Sequence, residues 1–381
     1  MPYLLRIAAV RLYTGCPYGV LMTAIHIKSP SLIIRAGTQA LAHIRQQGLS
    51  PADVGIIPGA AGGPKALGLQ GLDIALFGEW LPRSPRVRAL VGASIGAWRS
   101  ACVCLPDPAD SLRRLGDLYT GLHFPKGIGI RQISQICESM LDELLGGRDE
   151  AILTAPGYRL NIMIVQALGP LASDQRRTLS LGLGAVIRDN LIARSRLIRH
   201  FSRIVAHDLR QAPPLDELND FPTQYPALRP DNLRQSLLAS GSIPLVMEGV
   251  TDIPGFGSGT YRDGGLLDYH LDLPYRGNDI VLYPHFIDRI IPGWFDKGIF
   301  WRKANTHNLR NVVLLAPSRS YLERLPGRKL PDRKDFTRYA TDPATRQRHW
   351  HTAMAESQRL GDEFLKLAES GRLKDQILPL V

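Results

Sequence analysis

The chain predicts an α/β protein, a three-layer α/β/α sandwich around a mainly parallel central sheet. Twice in succession a short apolar run leads into a glycine-bearing turn and then a helix-compatible segment, first at residues 54–81 and again at 87–103. Repeated units of this kind build parallel sheets, because each helix carries the chain back to start the next strand alongside the last. Further buried-strand runs at residues 160–166, 280–283 and 312–315 alternate with helical stretches near 131–145, 189–206, 231–239 and 343–369.

Taken in order, residues 1 to about 30 show no clear period and end in Lys28-Ser29-Pro30. They read as an extension outside the packed body, with Met22 as an alternative start. From Arg35 to Gly48 the residues Ala36, Ala40, Leu41 and Ile44 recur at helical spacing, and Gly48 supplies a stop. Val54-Gly55-Ile56-Ile57 then gives a strand, Gly59-Ala60-Ala61-Gly62-Gly63-Pro64-Lys65-Ala66 a turn, and residues 67–81 a helix. The second unit runs from residues 87–91 through Gly92-Ala93-Ser94-Ile95-Gly96 into a helix at 97–103. Proline-rich joints near 213–230 and 323–332 read as loops within the fold. The expected division is an extension at 1–34, one α/β domain at 35–340, and a C-terminal helix at 341–381 packed on it.

Composition narrows the function classes. Hydrophobic residues make up 44% of the chain and charged residues 21%, which is ordinary for a globular protein. The net charge of +11 favours an anionic partner. Its basic residues are spread out, without zinc-finger spacing, an RNP-type strand or a dense basic tail, so nucleic acid is not the expected partner. Protein partners are left open. Cys16, Cys102, Cys104 and Cys137 are too few for a disulfide scaffold, and Cys102-Val103-Cys104 has neither metal-pair nor redox spacing, which suits a reducing, cytoplasmic setting. The run from Leu4 to Val10 is interrupted by Arg6 and lacks a cleavage site, and no stretch is long and apolar enough to span a bilayer. Any membrane contact is expected to be peripheral.

Gly92-Ala93-Ser94-Ile95-Gly96 matches the Gly-x-Ser-x-Gly nucleophile elbow and lies where that motif requires, between a strand and a helix. Flanking glycines let the turn tighten and hold the serine oxygen clear of the sheet. A nucleophilic serine needs a base. Of the ten histidines none stands out: His349 and His351 face different ways on a helix, and His200 lies among arginines. Asp263, in Tyr261-Arg262-Asp263-Gly264-Gly265, is the other candidate, although an Asp-Gly pair is also a common turn. The glycine-rich turn satisfies neither G-x-G-x-x-G nor the Walker pattern, which argues against a nucleotide-phosphate loop.

A glycine-rich turn, a Gly-x-Ser-x-Gly elbow, Ala239-Ser240-Gly241-Ser242-Ile243-Pro244 and a later Asp-Gly-Gly, in that order, resemble the patatin-like phospholipases over about residues 53–270. The resemblance implies a Ser94-Asp263 dyad without histidine and hydrolysis of carboxylic esters of lipids, of phospholipase A or lysophospholipase type, through an acyl-enzyme. It implies an oxyanion hole of backbone N–H groups at Gly62, Gly63 and Ile95, with Lys65, Gly264 and Gly265 contacting substrate or bracing the loops. No metal or organic cofactor is implied. The sequence departs from the family turn at Pro64, which has no N–H, and at Ala66, where the pattern has glycine. Two rivals remain: an esterase or acyltransferase on soluble or storage esters, and a catalytically weak lipid-binding or regulatory protein. Two segments have two readings each: residues 286–303, with Trp294, Phe295, Phe300 and Trp301 among basic residues, either pack on the sheet with their charges in water or meet lipid, and residues 190–205 form either a core-packed helix with a solvated basic face, the favoured reading, or a basic amphipathic cap over the site.

Overall fold

The computed structural model describes residues 30–380. Its strands are β1 (Leu32–Ala36), β2 (Val54–Gly59), β3 (Arg88–Ala93), β4 (Tyr158–Ala167), β5 (Phe201–Asp208), β6 (Thr223–Gln224), β7 (Ala227–Leu228), β8 (Val250–Thr251), β9 (Thr260–Asp263), β10 (Ile280–Pro284), β11 (Val312–Pro317) and β12 (Ile377–Pro379). They join one mixed, mostly parallel sheet, with β12, β1, β11, β10, β2, β3, β4, β5 and β6 in that order across it. The central run from β11 to β4 is wholly parallel. Every residue of β2, β3, β10 and β11 is buried. Burial on both faces is why these strands read as unbroken apolar runs rather than alternating ones.

β4 decides where the site forms. Its first part pairs with β3 in parallel register, ending at Ala93 opposite Met163. Its last part pairs with β9 in antiparallel register, ending at Asp263 opposite Ile164. Strands β3 and β9 therefore lie end to end along the same neighbour and run toward each other. Ser94 follows the last residue of one, and Asp263 is the last residue of the other.

Several expected boundaries change. Residues 32–36 form β1, antiparallel to β11, so the packed body begins before residue 35 and the following helix is Thr38–Gln47. The rest of the expected extension, including Met22, lies outside the described residues. Residues 189–206 are not one helix. Helix Arg176–Ile192 ends there, a 3₁₀ turn at Arg194–Arg199 follows, and β5 starts at Phe201. The Ile204-Val205 pair favours a strand, and pairing with seven consecutive residues of β4 overrides the helical spacing seen in the sequence. Helix Arg176–Ile192 escapes a periodicity reading because Gly182 and Gly184 interrupt it; Gly182 is buried against Pro170 and Leu171. At the C-terminus the long helix Pro343–Glu369 is present, but the chain then returns to the sheet as β12 beside β1.

Candidate active site

The elbow takes the strained form its glycines permit. Ser94 has φ 56° and ψ −130°, a backbone conformation rare for a residue with a side chain. Such strain costs about 1–3 kcal/mol and persists only where its surroundings hold it. A side chain on Gly96 would strike the carbonyl of Gly59, and one on Gly92 would press on the backbone of Ala97. Both flanking glycines are therefore sterically required. Ser240 holds the turn from outside: its hydroxyl accepts from the Ser94 N–H at 2.8 Å and donates to the Met163 carbonyl at 2.7 Å. With about 1 kcal/mol net for each of these buried bonds, the brace offsets much of the strain.

Asp263 is fixed by its own neighbours. Its N–H donates to the Ser242 carbonyl at 3.1 Å, and the Gly265 N–H donates to its carboxylate at 2.7 Å. Burial raises its pKa above the ordinary carboxylate value, opposed by the Ser94 hydroxyl and the Gly265 N–H beside it and by the charges of Arg333 and Lys297. A carboxylate made more basic in this way is better matched to taking a proton from an alcohol. Gly264 and Gly265 brace this end of the site. A side chain on Gly264 would meet the Met163 carbonyl, and one on Gly265 the Ala61 side chain.

The residues expected to carry the oxyanion donors lie along the cavities that Ser94 also lines. Gly63 opens a 3₁₀ helix and Ile95 opens the helix Ile95–Val103, so their N–H groups precede any intrahelical acceptor. Gly62 and Gly63 line a cavity with Ser94 and Asp263, and Ile95 lines a second cavity with Ser94. Pro64 falls in the first turn of the 3₁₀ helix, where a missing N–H removes no helical bond. Behind the two donor turns, Arg99 and Asp73 form a buried two-point ion pair at 2.5 and 2.8 Å. The long C-terminal helix presses on the same side, with Ser357 accepting from the Gly71 N–H at 2.7 Å. These contacts hold the glycine-rich turn against the elbow.

Two cavities meet at Ser94. One, of about 430 Å³, is lined chiefly by apolar side chains including Trp98, Phe124, Ile133, Met140, Met247 and Phe336. The other, of about 620 Å³, contains Asp263 and Asp332 and is bordered by Lys65, Lys297, Arg333 and Lys334 beside apolar residues such as Leu245 and Trp294. Arg333 stands where the two join. Among the described residues none of these four cations forms an ion pair. Lys65 lies 4.5 Å from the Phe286 ring centre, and its pKa is lowered by burial while Asp332 acts against the shift. Lys297 stacks 3.9 Å from the Tyr269 ring centre and keeps solvent access along part of its side chain. Lost hydration at its ammonium, then repulsion from Lys65 and Arg333, lowers its pKa to about 7.

No described histidine lines either cavity. His270 and His285 are buried nearby, but His270 Nδ1 accepts from the Ile291 N–H, His285 Nδ1 lies 2.6 Å from the Ile287 carbonyl, and burial keeps both neutral. Among the described residues no group of three or more His, Cys, Asp or Glu side chains is assembled to hold a metal. Cys102, Cys104 and Cys137 are free thiols. No described helix is long and apolar enough to cross a membrane.

Sequence reasoning missed four contributors. Ser240 and Ser242 were visible only as part of a motif without a role; the structure makes them the brace between elbow and Asp263. Lys297 stood out only as one of several charges in an aromatic-rich stretch. Arg333 lies at the end of a segment read as a proline-rich joint, and nothing local marks it. The segment 286–303 divides: Phe286 and Ile299 are buried, Trp294 borders the cavity, and Phe300 and Trp301 face outward. In comparison with known proteins, no family model and no curated protein matches the chain.

Proposed function

We propose that the protein is a patatin-like serine acylhydrolase that cleaves a long-chain acyl ester whose alcohol part carries negative charge, as in phospholipids and lysophospholipids. The observation that carries this reading is the place of Ser94, beside Asp263 and at the junction of an apolar cavity and a cationic one. An acyl chain suits the first and a charged head group the second, with the ester between them at the serine.

In this mechanism the Ser94 hydroxyl attacks the ester carbonyl carbon while Asp263 takes its proton. The N–H groups of Gly62, Gly63 and Ile95 donate to the oxygen that becomes negative. Collapse breaks the bond to the alcohol oxygen, which takes the proton from Asp263 and leaves. Water, deprotonated by Asp263, then attacks the acyl-serine, and the acid departs as Ser94 recovers its proton.

The test compares wild type, Ser94→Ala and Asp263→Asn on a short-chain chromogenic ester and on mixed phospholipid vesicles. Both variants should lose at least about a thousandfold in kcat/KM while keeping the wild-type unfolding midpoint. Activity surviving in Ser94→Ala would refute the mechanism, and an inert wild type would favour a lipid-binding role.

A further inference from the structure

Helix Arg176–Ile192 carries its apolar residues on the wrong side for a core helix. Leu179, Gly182 and Val186 are buried, yet Leu181, Ile187, Leu191 and Ile192 are exposed, Leu181 at 76%. At 100° per residue these four fall within one outward sector of the helix, together with Gly184 and Arg188. Phe300 and Trp301 continue the patch, exposed at 86% and 60%. Their position beside the helix is fixed: Arg302 donates to the Asn190 side chain at 2.7 Å and to the Asn190 carbonyl at 2.8 Å. Asp296 accepts from both Asn190 and Arg302 at 2.8 Å, so the strand of chain bearing Trp294 to Arg302 is clamped to the end of the helix.

Charge identifies what this face meets. Residues 176–199 include Arg176, Arg177, Arg188 and Arg199 among their exposed positions and no exposed acid. The single carboxylate in the segment, Asp189, is buried and bonded to His200 at 2.9 Å and Arg188 at 3.1 Å. A patch of aliphatic and aromatic side chains with exposed arginines along the helix, and Lys297 and Lys303 flanking Phe300 and Trp301, fits the interface of an anionic bilayer, where rings and chains enter the acyl boundary and cationic groups meet phosphates. It is also joined to the cavity: Leu183 on the same helix and Trp294 and Lys297 on the clamped segment line the chamber that holds Ser94 and Asp263. The rim there includes Leu245 and Val246, whose loop is tied to the start of the helix by the Gly249 N–H donating to Asp174 at 3.1 Å.

We infer that the exposed face of helix Arg176–Ile192, with Phe300 and Trp301, is the surface by which the protein docks on anionic phospholipid bilayers, setting the cavity mouth at the lipid. The inference gains its purpose from the acylhydrolase reading, but docking is measurable without turnover. Ser94→Ala protein is sedimented with vesicles of phosphatidylcholine alone and of phosphatidylcholine mixed with phosphatidylglycerol. It should partition onto the mixed vesicles, and less so as salt is raised. In that background, Phe300→Ser with Trp301→Ser, and separately Arg176→Glu with Arg177→Glu, should each weaken partitioning about tenfold or more. Unchanged thermal unfolding shows that the variants are folded, and with Ser94 restored they should hydrolyse a soluble short-chain ester as wild type does. Absence of binding to mixed vesicles, or variants that bind like the parent, overturns the proposal. So does a dimer in solution that the same substitutions dissociate, which would assign the face to a second copy. If the Ser94 protein is inert toward every ester, the hydrolase reading fails while the sedimentation result still decides the docking surface.

Discussion

On one side of Ser94 the walls are mostly apolar, with Trp98, Phe124, Ile133, Met247 and Phe336; on the other Lys65, Lys297, Arg333 and Lys334 join apolar residues around Asp263 and Asp332. The two chambers ask for opposite things from a ligand. The apolar one stabilises any chain that leaves water to fill it, at roughly 0.8 kcal/mol for each buried methylene, so it ranks ligands by length and shape. The other chamber carries excess positive charge, because Lys65, Lys297, Arg333 and Lys334 outnumber the carboxylates of Asp263 and Asp332 that share it. A ligand with its own negative charge offsets that excess. If the protein acts as proposed, the contrast divides selectivity at the serine: length on one side, charge on the other.

The comparison breaks most sharply at Arg333. Arg333→Glu should lower kcat/KM for a lysophospholipid with an anionic head group about 10- to 100-fold more than for a neutral monoacylglycerol, because a like charge then faces the head group. Equal losses on both substrates would mean that the chamber does not read charge. A smaller effect belongs to the apolar side. Ile133→Trp narrows that cavity and should reduce the ratio of long-chain to short-chain ester hydrolysis about tenfold. If chain-length preference is unmoved, the acyl group lies elsewhere.

The smallest effect is a pH dependence. Lys297 carries its charge below its pKa of about 7 and loses it above, so KM for an anionic substrate should rise by a few-fold as pH increases through that range. Solvent access to the side chain moves the midpoint upward, toward the ordinary lysine value and no further. Lys297→Met should flatten this alkaline limb and start from the higher KM. A limb that persists in Lys297→Met would assign the titration to another group.

How much of this was legible in advance varies with the distance over which each feature is encoded. Ser94 and its glycines are a local matter: the turn needs Gly92 and Gly96 within two residues of the serine, and the adjoining apolar run and helix mark its ends. Asp263 was legible through the order of motifs, since the glycines after it leave a recognisable string. The strands of the central sheet were equally plain, because burial on both faces leaves continuous apolar runs. The region around residues 176–206 was not. Its helix is broken by glycine, its exposed face is apolar, and its last part obeys β4 rather than its own spacing.

By itself, then, the sequence determined the elbow, the carboxylate, the glycine-rich turn and the parallel core, all of which rest on short-range sterics and on hydrophobic pattern. Only the tertiary structure decided that β3 and β9 meet end to end on β4, bringing Ser94 to Asp263 across 169 positions of chain. It alone placed Lys297 and Arg333 around that pair, and Phe300 and Trp301 beside an apolar helix face. The physical reason is that register, charge convergence and exposure are properties of which distant segments pack together, and a side chain's local neighbours carry no record of them.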